Sequence, residues 1–358
     1  MLDCFKVPPE HAVRVPEGVM RATVEDMFQS LGMPEADARQ ATDVLLYADI
    51  RGIDSHGVSN MMRAYVAGLK AGHIKAAPKW TLARDFKAAV TIDCDEGLGL
   101  VVGPAAMRLA IERAREFGVC VVIATNGRHY GAAAYHAHLA LEHDMIGVSM
   151  TTGGLLVAPT QGAERMLGLN PLGIAAPSGV EAPFVFDASM SSLAANKIQL
   201  LRRMGGEVLP GWVAQADGTP VMEEAEVPED YLMLPLGGTR ELGSHKGFGL
   251  CMLVEILAGV LSGGGGGPLR REGSAHYFMA YDVSAFTELD VFKRDMDEYL
   301  RKLLECKPAP GYERVVYPGI PEHEEELDRR ANGIPYHRDV IDWFRETCAE
   351  LNVQDRLG

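Results

Sequence analysis

The stretch from residue 88 to residue 125 does most to limit the fold. AAVTIDCD (88–95) alternates apolar and polar residues, PAAMRLAIERAREF (104–117) repeats apolar residues at helical spacing, and VCVVIAT (119–125) is an unbroken apolar run. The first pattern predicts a strand, the second an amphipathic helix, and the third a strand buried on both faces. Strand, helix and strand in that order form a crossover unit, which joins parallel neighbours in one sheet. IGVSMTT (146–152), GIAAP (173–177) and PFVFDAS (183–189) read as further strands. The expected class is α/β, grading into α+β, with a central mixed β-sheet.

Helices flank this centre. Thr23 is expected to cap a short helix ending at Gly32. Pro34 opens a longer helix whose Ala38, Ala41, Leu45 and Ala48 share one face, and Gly52 stops it. Asp54-Ser55-His56-Gly57 joins it to a third helix, from about Val58 to Leu69, closed by Gly72. From about Val291 the chain is again helical and charged. Residues 1–80 with 291–358 are expected to form a helical domain from both chain ends, and 81–290 a β-rich domain. Phe248 to Leu261, apolar apart from Glu255, is too short to span a bilayer and reads as a buried helix. Gly263 to Gly267 cannot be regular structure at a reasonable entropy cost and reads as a mobile loop.

The net charge of −15 argues against nucleic acid or an anionic membrane as partner. The N-terminus lacks the apolar run of a secretory signal. The six cysteines are scattered, without a C-x-x-C pair, so neither a disulfide framework nor a metal site is expected, and a cytoplasmic setting is.

A Rossmann site is tempting after AAVTIDCD, where Gly97-Leu98-Gly99 leads into a helix. Gly103 falls one residue late for G-x-G-x-x-G, and the second strand ends in Thr125-Asn126 rather than in an acid. These glycines read better as a tight turn.

The histidines carry more. His56 sits in a short polar joint between helices, with Asp54 and Ser55 close enough to orient it; the joint also reads as a capping loop. His129, between Gly127 and Gly131, follows the buried strand, where active-site residues often emerge; it also reads as a structural loop residue. His136, His138 and His143 follow without an H-E-x-x-H pattern. Gly243-Ser244-His245-Lys246-Gly247 opens a helix beside a lysine, an arrangement suited to an anion or to a solvated loop. Asn170 and the Asp187 segment interrupt apolar surroundings and need partners. Glu322 to Glu326 reads as a solvated helix face.

In order and spacing, six segments resemble one family: DIRGIDSHGVS (49–59), NGRHYGAAAYHA (126–137), GLNPLGIAAPSG (168–179), FDASMSS (186–192), GSHKGFG (243–249) and APGYERVVYPG (309–319). That family is the malate/L-lactate dehydrogenases of the second type, whose members act on ureidoglycolate, L-sulfolactate, 2,3-diketogulonate and Δ1-piperideine-2-carboxylate. The resemblance implies a non-Rossmann NAD(P)-binding fold and a homodimer or higher homo-oligomer. It implies hydride transfer between the nicotinamide and a small 2-hydroxy or 2-keto acid. By position, His56 and His129 handle the proton, with Lys246 as a third catalytic group. Ser55, Asn60 and Arg63 face substrate. Thr151, Thr152, Gly153, Asp187, Ala188, Ser189, His245, Lys246, Gly319, Ile320 and Pro321 hold the cofactor, which is NAD or NADP, with NAD favoured. Members often carry arginine where this chain has Asn60; either Arg63, one turn on, substitutes for it, or Asn60 signals a substrate with a hydroxyl or amide where relatives see a carboxylate. Two other readings stand beside this one: a cyclic imino acid reductase, and a non-catalytic NAD(P)-binding homologue.

Overall fold

The computed structural model describes residues 3–271 and 273–357. The chain opens with β1 (Ala12–Val15), α1 (Glu17–Ser30), α2 (Glu35–Ile50) and α3 (Val58–Lys70). The centre runs β2 (Thr81–Phe86), β3 (Ala89–Asp93), α4 (Gly99–Phe117), β4 (Val119–Gly127), α5 (Ala133–His138), β5 (Met145–Thr151), β6 (Leu172–Ala176), β7 (Phe184–Ala188) and α6 (Ala195–Met204). Short strands follow: β8 (Glu207–Val208), β9 (Val213–Gln215), β10 (Ala225–Glu226) and β11 (Tyr231–Met233). The chain ends with α7 (Ser244–Val254), β12 (Ser274–Asp282), α8 (Leu289–Leu304), α9 (Ile320–Asn332), β13 (Ile334–His337) and α10 (Arg338–Leu351).

The main sheet has strand order β2-β3-β4-β12-β5-β6-β7. β3 and β4 are parallel across the α4 crossover, as the 88–125 pattern requires, and the remaining pairings are antiparallel, so the sheet is mixed. One core layer joins α4 to the sheet through Val90, Ile92, Met107, Ile111, Val122 and Phe278. Another packs α6, α7 and the 157–233 region against it. A third draws on both ends of the chain: α1, α2 and α3 pack with Ile334, Tyr336, Ile341 and Phe344, while β1 pairs with β13.

Several local expectations are corrected. Thr23 caps nothing: α1 starts at Glu17, and buried Thr23 bonds back to the Val19 carbonyl. α4 begins at Gly99, and Pro104 lies inside it. A Cβ at Gly99 would strike the Tyr130 side chain, so this glycine serves close packing, not a phosphate. The apolar segment after Gly247 is not buried all round. Cys251, Val254 and Ala258 face inward, but Leu250, Met252, Leu253, Ile256, Val260 and Leu261 are exposed. α7 also passes into a π-helical turn at Glu255–Val260, a feature often found at functional sites.

The glycine run is irregular, as expected, yet its backbone is tied down. Gly267 N–H donates to Glu255 (3.0 Å), and Arg271 N–H donates to the Gly264 carbonyl (2.7 Å). Buried Glu255 also pairs with Arg270 (2.7 Å), whose guanidinium reaches the Gly153 carbonyl. The loop therefore braces the segment at 152–153.

Candidate active site

The C-terminal end of β4, the joint between α2 and α3, the start of α6 and the start of α9 converge on one cavity of about 530 Å³, a size typical of small-molecule sites. Its lining includes Ser55, His56, His129, Thr151, Thr152, Gly153, Asp187, Ala188, Ser189 and Pro321. Ten residues singled out in five separate sequence segments thus share one space.

The two imidazoles lie nearly parallel, centroids 5.7 Å apart at 12°. Each is fixed through Nδ1. His56 Nδ1 is 2.8 Å from Ser55 Oγ. His129 Nδ1 accepts the Gly131 N–H (3.2 Å) and lies 2.6 Å from Tyr65 Oη. An amide N–H only donates, so neutral His129 keeps its proton on Nε2. Burial holds both rings neutral: it lowers His56 to about 3, with the neighbouring His129 and Lys197 also disfavouring its protonation, and His129 to about 4.

The joint is held from below. Asp49, fully buried in α2, accepts the Val58 N–H (3.1 Å) and the Tyr336 hydroxyl (3.0 Å), capping α3 from a distance. Burial, with the charge of Asp54, pushes its carboxyl up to about 7. Arg329 of α9, itself buried, clasps Asp54 through both terminal nitrogens (2.5 and 3.2 Å), and bonds the Asp49 carbonyl and Glu325. Gly52 turns the chain at φ +74°. A Cβ on Gly57 would overlap the Asp49 carboxylate. Gly57→Ala is therefore expected to lower stability by roughly 1–3 kcal/mol, the usual cost of overpacking. An unchanged urea midpoint would show that the joint can shift without cost.

The remaining predicted residues lie elsewhere. His245 and Lys246 are exposed at the start of α7, outside the cavity lining, with His245 Nδ1 bonded by Arg240 (2.9 Å). Asn60 is turned toward α6, donating to the Asn196 carbonyl (3.3 Å) and accepting from Arg203 (3.0 Å). Arg63 lies over the Trp343 ring (5.3 Å) and bonds the Asp339 carbonyl, so it does not take the place of the missing arginine. Gly319 and Ile320 flank the lining at Pro321, and Gly319 N–H is capped by Glu322 (3.2 Å). Asn170 is satisfied by protein alone: Gly153 N–H, the Cys251 carbonyl and Glu255. Asp187 accepts the Ala134 N–H (2.7 Å), and burial raises its carboxyl to about 6.

Sequence reasoning missed Arg51, Asn196, Lys197, Glu322 and Glu325, all of which line the cavity. The acidic run at 322–326 is only partly solvated, since Glu326 holds Arg51 (2.6 Å) and Glu325 holds Arg329 (3.0 Å).

Known proteins similar to this chain fall in one family. The family profile described as Malate/L-lactate dehydrogenase matches residues 15–345. A malate dehydrogenase from Pyrococcus horikoshii is 38% identical over 352 residues, 96% of this chain and 97% of that one. An L-sulfolactate dehydrogenase from Methanocaldococcus jannaschii is 34% identical over 341 residues, 93% of this chain and 96% of that one. The crystal structure of malate dehydrogenase from Entamoeba histolytica superposes with a TM-score of 0.92 at 30% identity, covering 96% of this chain and 99% of that one. With a profile spanning nearly its whole length and relatives above 30% identity, the chain belongs to the malate/L-lactate dehydrogenase family.

Proposed function

We propose that this chain is an NAD(P)-dependent dehydrogenase interconverting a 2-hydroxy acid and its 2-keto acid. The carrying observation is the parallel pair His56–His129, both neutral, in a cavity that is also lined by residues 151–154 and 187–189. That lining fits a dinucleotide. Gly154 has nothing within 4 Å of where a Cβ would stand, and α6 starts at the cavity without a side-chain cap, leaving N–H groups for an anion. When bound, the nicotinamide carries the hydride. The two rings divide the proton work. His129 offers Nε2–H as a hydrogen-bond donor to the substrate oxygen. His56, with Nδ1–H given to Ser55 Oγ, keeps its Nε2 lone pair to take the hydroxyl proton.

NAD is the favoured cofactor. Asp187 and Glu322 line the cavity without an ion-pair partner among the described residues, and such acids suit a ribose hydroxyl better than a 2′-phosphate. Arg202 and Arg203 are occupied by the Pro228 carbonyl and Asn60. Fluorescence titration with NADH and NADPH, then assays with oxaloacetate, pyruvate, sulfopyruvate and Δ1-piperideine-2-carboxylate, tests the reading. NADH binding with reduction of a keto acid is expected. Reduction of the cyclic imine alone would replace it with the imino acid reductase, and failure to bind either nucleotide would leave a non-catalytic homologue.

The chain is also expected to dimerise. Leu250, Leu253, Ile256, Val260 and Leu261 leave an apolar face of α7 and its π turn exposed, larger than scattered surface leucines. Light scattering should give twice the mass of one chain, and Ile256→Asp should shift it toward monomer; a wild-type monomer at micromolar concentration would end this expectation. Among the described residues no helix is long and apolar enough to cross a membrane. Among the described residues Cys94, Cys120, Cys251, Cys306 and Cys348 carry free thiols, which suits a reducing compartment such as the cytoplasm.

A further inference from the structure

The substrate class proposed above carries a carboxylate, and a carboxylate drawn into a half-closed cavity needs a cation or several donors. Two permanent cations line this cavity, Arg51 and Lys197. Arg51 is committed: its guanidinium pairs with Glu326 at 2.6 Å and covers the Tyr47 ring at 5.3 Å. Lys197 is not. Among the described residues no carboxylate oxygen lies within ion-pair distance of it, and its Nζ rests 5.0 Å from the Phe5 ring centroid. Burial lowers its pKa, opposed by Cys4 and by the charges of Asp187 and Glu322.

Its placement points to substrate rather than to a cofactor phosphate. Asn196, the preceding residue, donates to the Ser55 carbonyl at 2.9 Å, locking the first turn of α6 onto the residue beside His56. The Lys197 charge is close enough to His56 to disfavour its imidazolium. Asn60 completes the brace from α3, through the Asn196 carbonyl and Arg203. The residue standing where relatives often have an arginine thus supports the helix that presents a lysine.

We infer that Lys197 holds the carboxylate of the 2-keto or 2-hydroxy acid, orienting its reacting carbon beside the His56–His129 pair, and that it sets the requirement for an acid. The inference rests on the proposed dehydrogenase reading. The charge-assisted bond costs no more than a lysine already desolvated, which favours an anionic ligand over a neutral one.

The test is Lys197→Met, with Lys197→Arg as a charge-keeping control, assayed with oxaloacetate, pyruvate and neutral pyruvamide at saturating NADH. Loss of a charge-assisted hydrogen bond should raise KM for pyruvate and oxaloacetate about 10- to 100-fold. The preference for pyruvate over pyruvamide should collapse by the same factor, while the NADH Kd by fluorescence stays within about twofold, the range of an uninvolved residue. Lys197→Arg should recover part of the preference. Should the Met variant not fold, the Arg variant decides: an unaltered pyruvate KM together with a weakened NADH Kd would overturn the inference in favour of a phosphate contact. An unchanged pyruvate-to-pyruvamide preference in a folded Met variant would also overturn it. A wild-type protein that reduces no keto acid defeats the dehydrogenase reading itself, so the two failures are distinct.

Discussion

His56→Ala should lower kcat for oxidation of a 2-hydroxy acid by about two to four orders of magnitude, the range for losing a positioned general base. The expectation follows from the ring nitrogens. His56 is the imidazole whose Nδ1 has a hydroxyl beside it able to accept, 2.8 Å away, leaving Nε2 open. His129 has its Nδ1 lone pair engaged by an amide N–H and so presents a proton, not a lone pair. His129→Ala removes a hydrogen-bond donor and should cost about 10²–10³ in kcat. The pH profile tests whether the base is a buried, lowered histidine at all. A base lowered to about 3 is already deprotonated well below neutrality. Oxidative kcat/KM in the wild type should therefore stay flat from pH 8 to about 5, where an ordinary histidine would lose activity below about 6.5. If His56→Ala keeps turnover within tenfold of wild type while His129→Ala loses it, the assignments exchange.

The strands and the site were unequally legible, for physical reasons. Period-two alternation and unbroken apolar runs reveal β3, β4 and their parallel pairing, because burial on both faces leaves little freedom of composition. The site histidines are legible as residues in polar joints between glycines, and the family segments in register tell what they share. Helix termini were less so. α1 and α4 begin at residues without capping side chains, so no local signal marks them. Arg329 was hidden for another reason. Glu325 and Arg329 stand four apart in a charged helix, the spacing of an ordinary solvated pair, and only the fold turns that arginine inward. Lys197 did leave a trace. It falls on the stripe of Leu193, Leu200 and Leu201, all buried, and a lysine on the apolar face of an amphipathic helix has a task beyond solvation. The exposed face of α7 misled because an apolar segment reads as core whether it packs within its own chain or against another.

The stability prediction with the largest effect is Arg329→Met, expected to cost about 3–5 kcal/mol, the range for breaking a buried ion pair by removing one partner. Arg329 is 4% exposed and holds Asp54, Glu325 and the Asp49 carbonyl at once. Methionine fills the volume but leaves Asp54 buried beside Asp49 with no cation between them. The deficit should depend on pH in a defined direction. Asp49 is already raised to about 7 by burial and by the charge of Asp54, and the Arg329 charge opposes that rise. Without the guanidinium its folded-state pKa climbs further, so the folded variant binds a proton that the unfolded chain, near 3.9, releases. Stability of the variant relative to wild type must then increase as pH falls from the variant's raised pKa to about 7, and level off below it, where Asp49 is protonated in both. Urea midpoints at several pH values measure this. Because α9 also carries Pro321 and Glu322 at the cavity, NADH affinity should weaken with it, and Arg329→Lys, which keeps the charge but not the fork, should fall between the two. A variant as stable as wild type at pH 8 would mean that the α9 contact is dispensable, and that the His56 joint is held by Asp49 and Tyr336 alone.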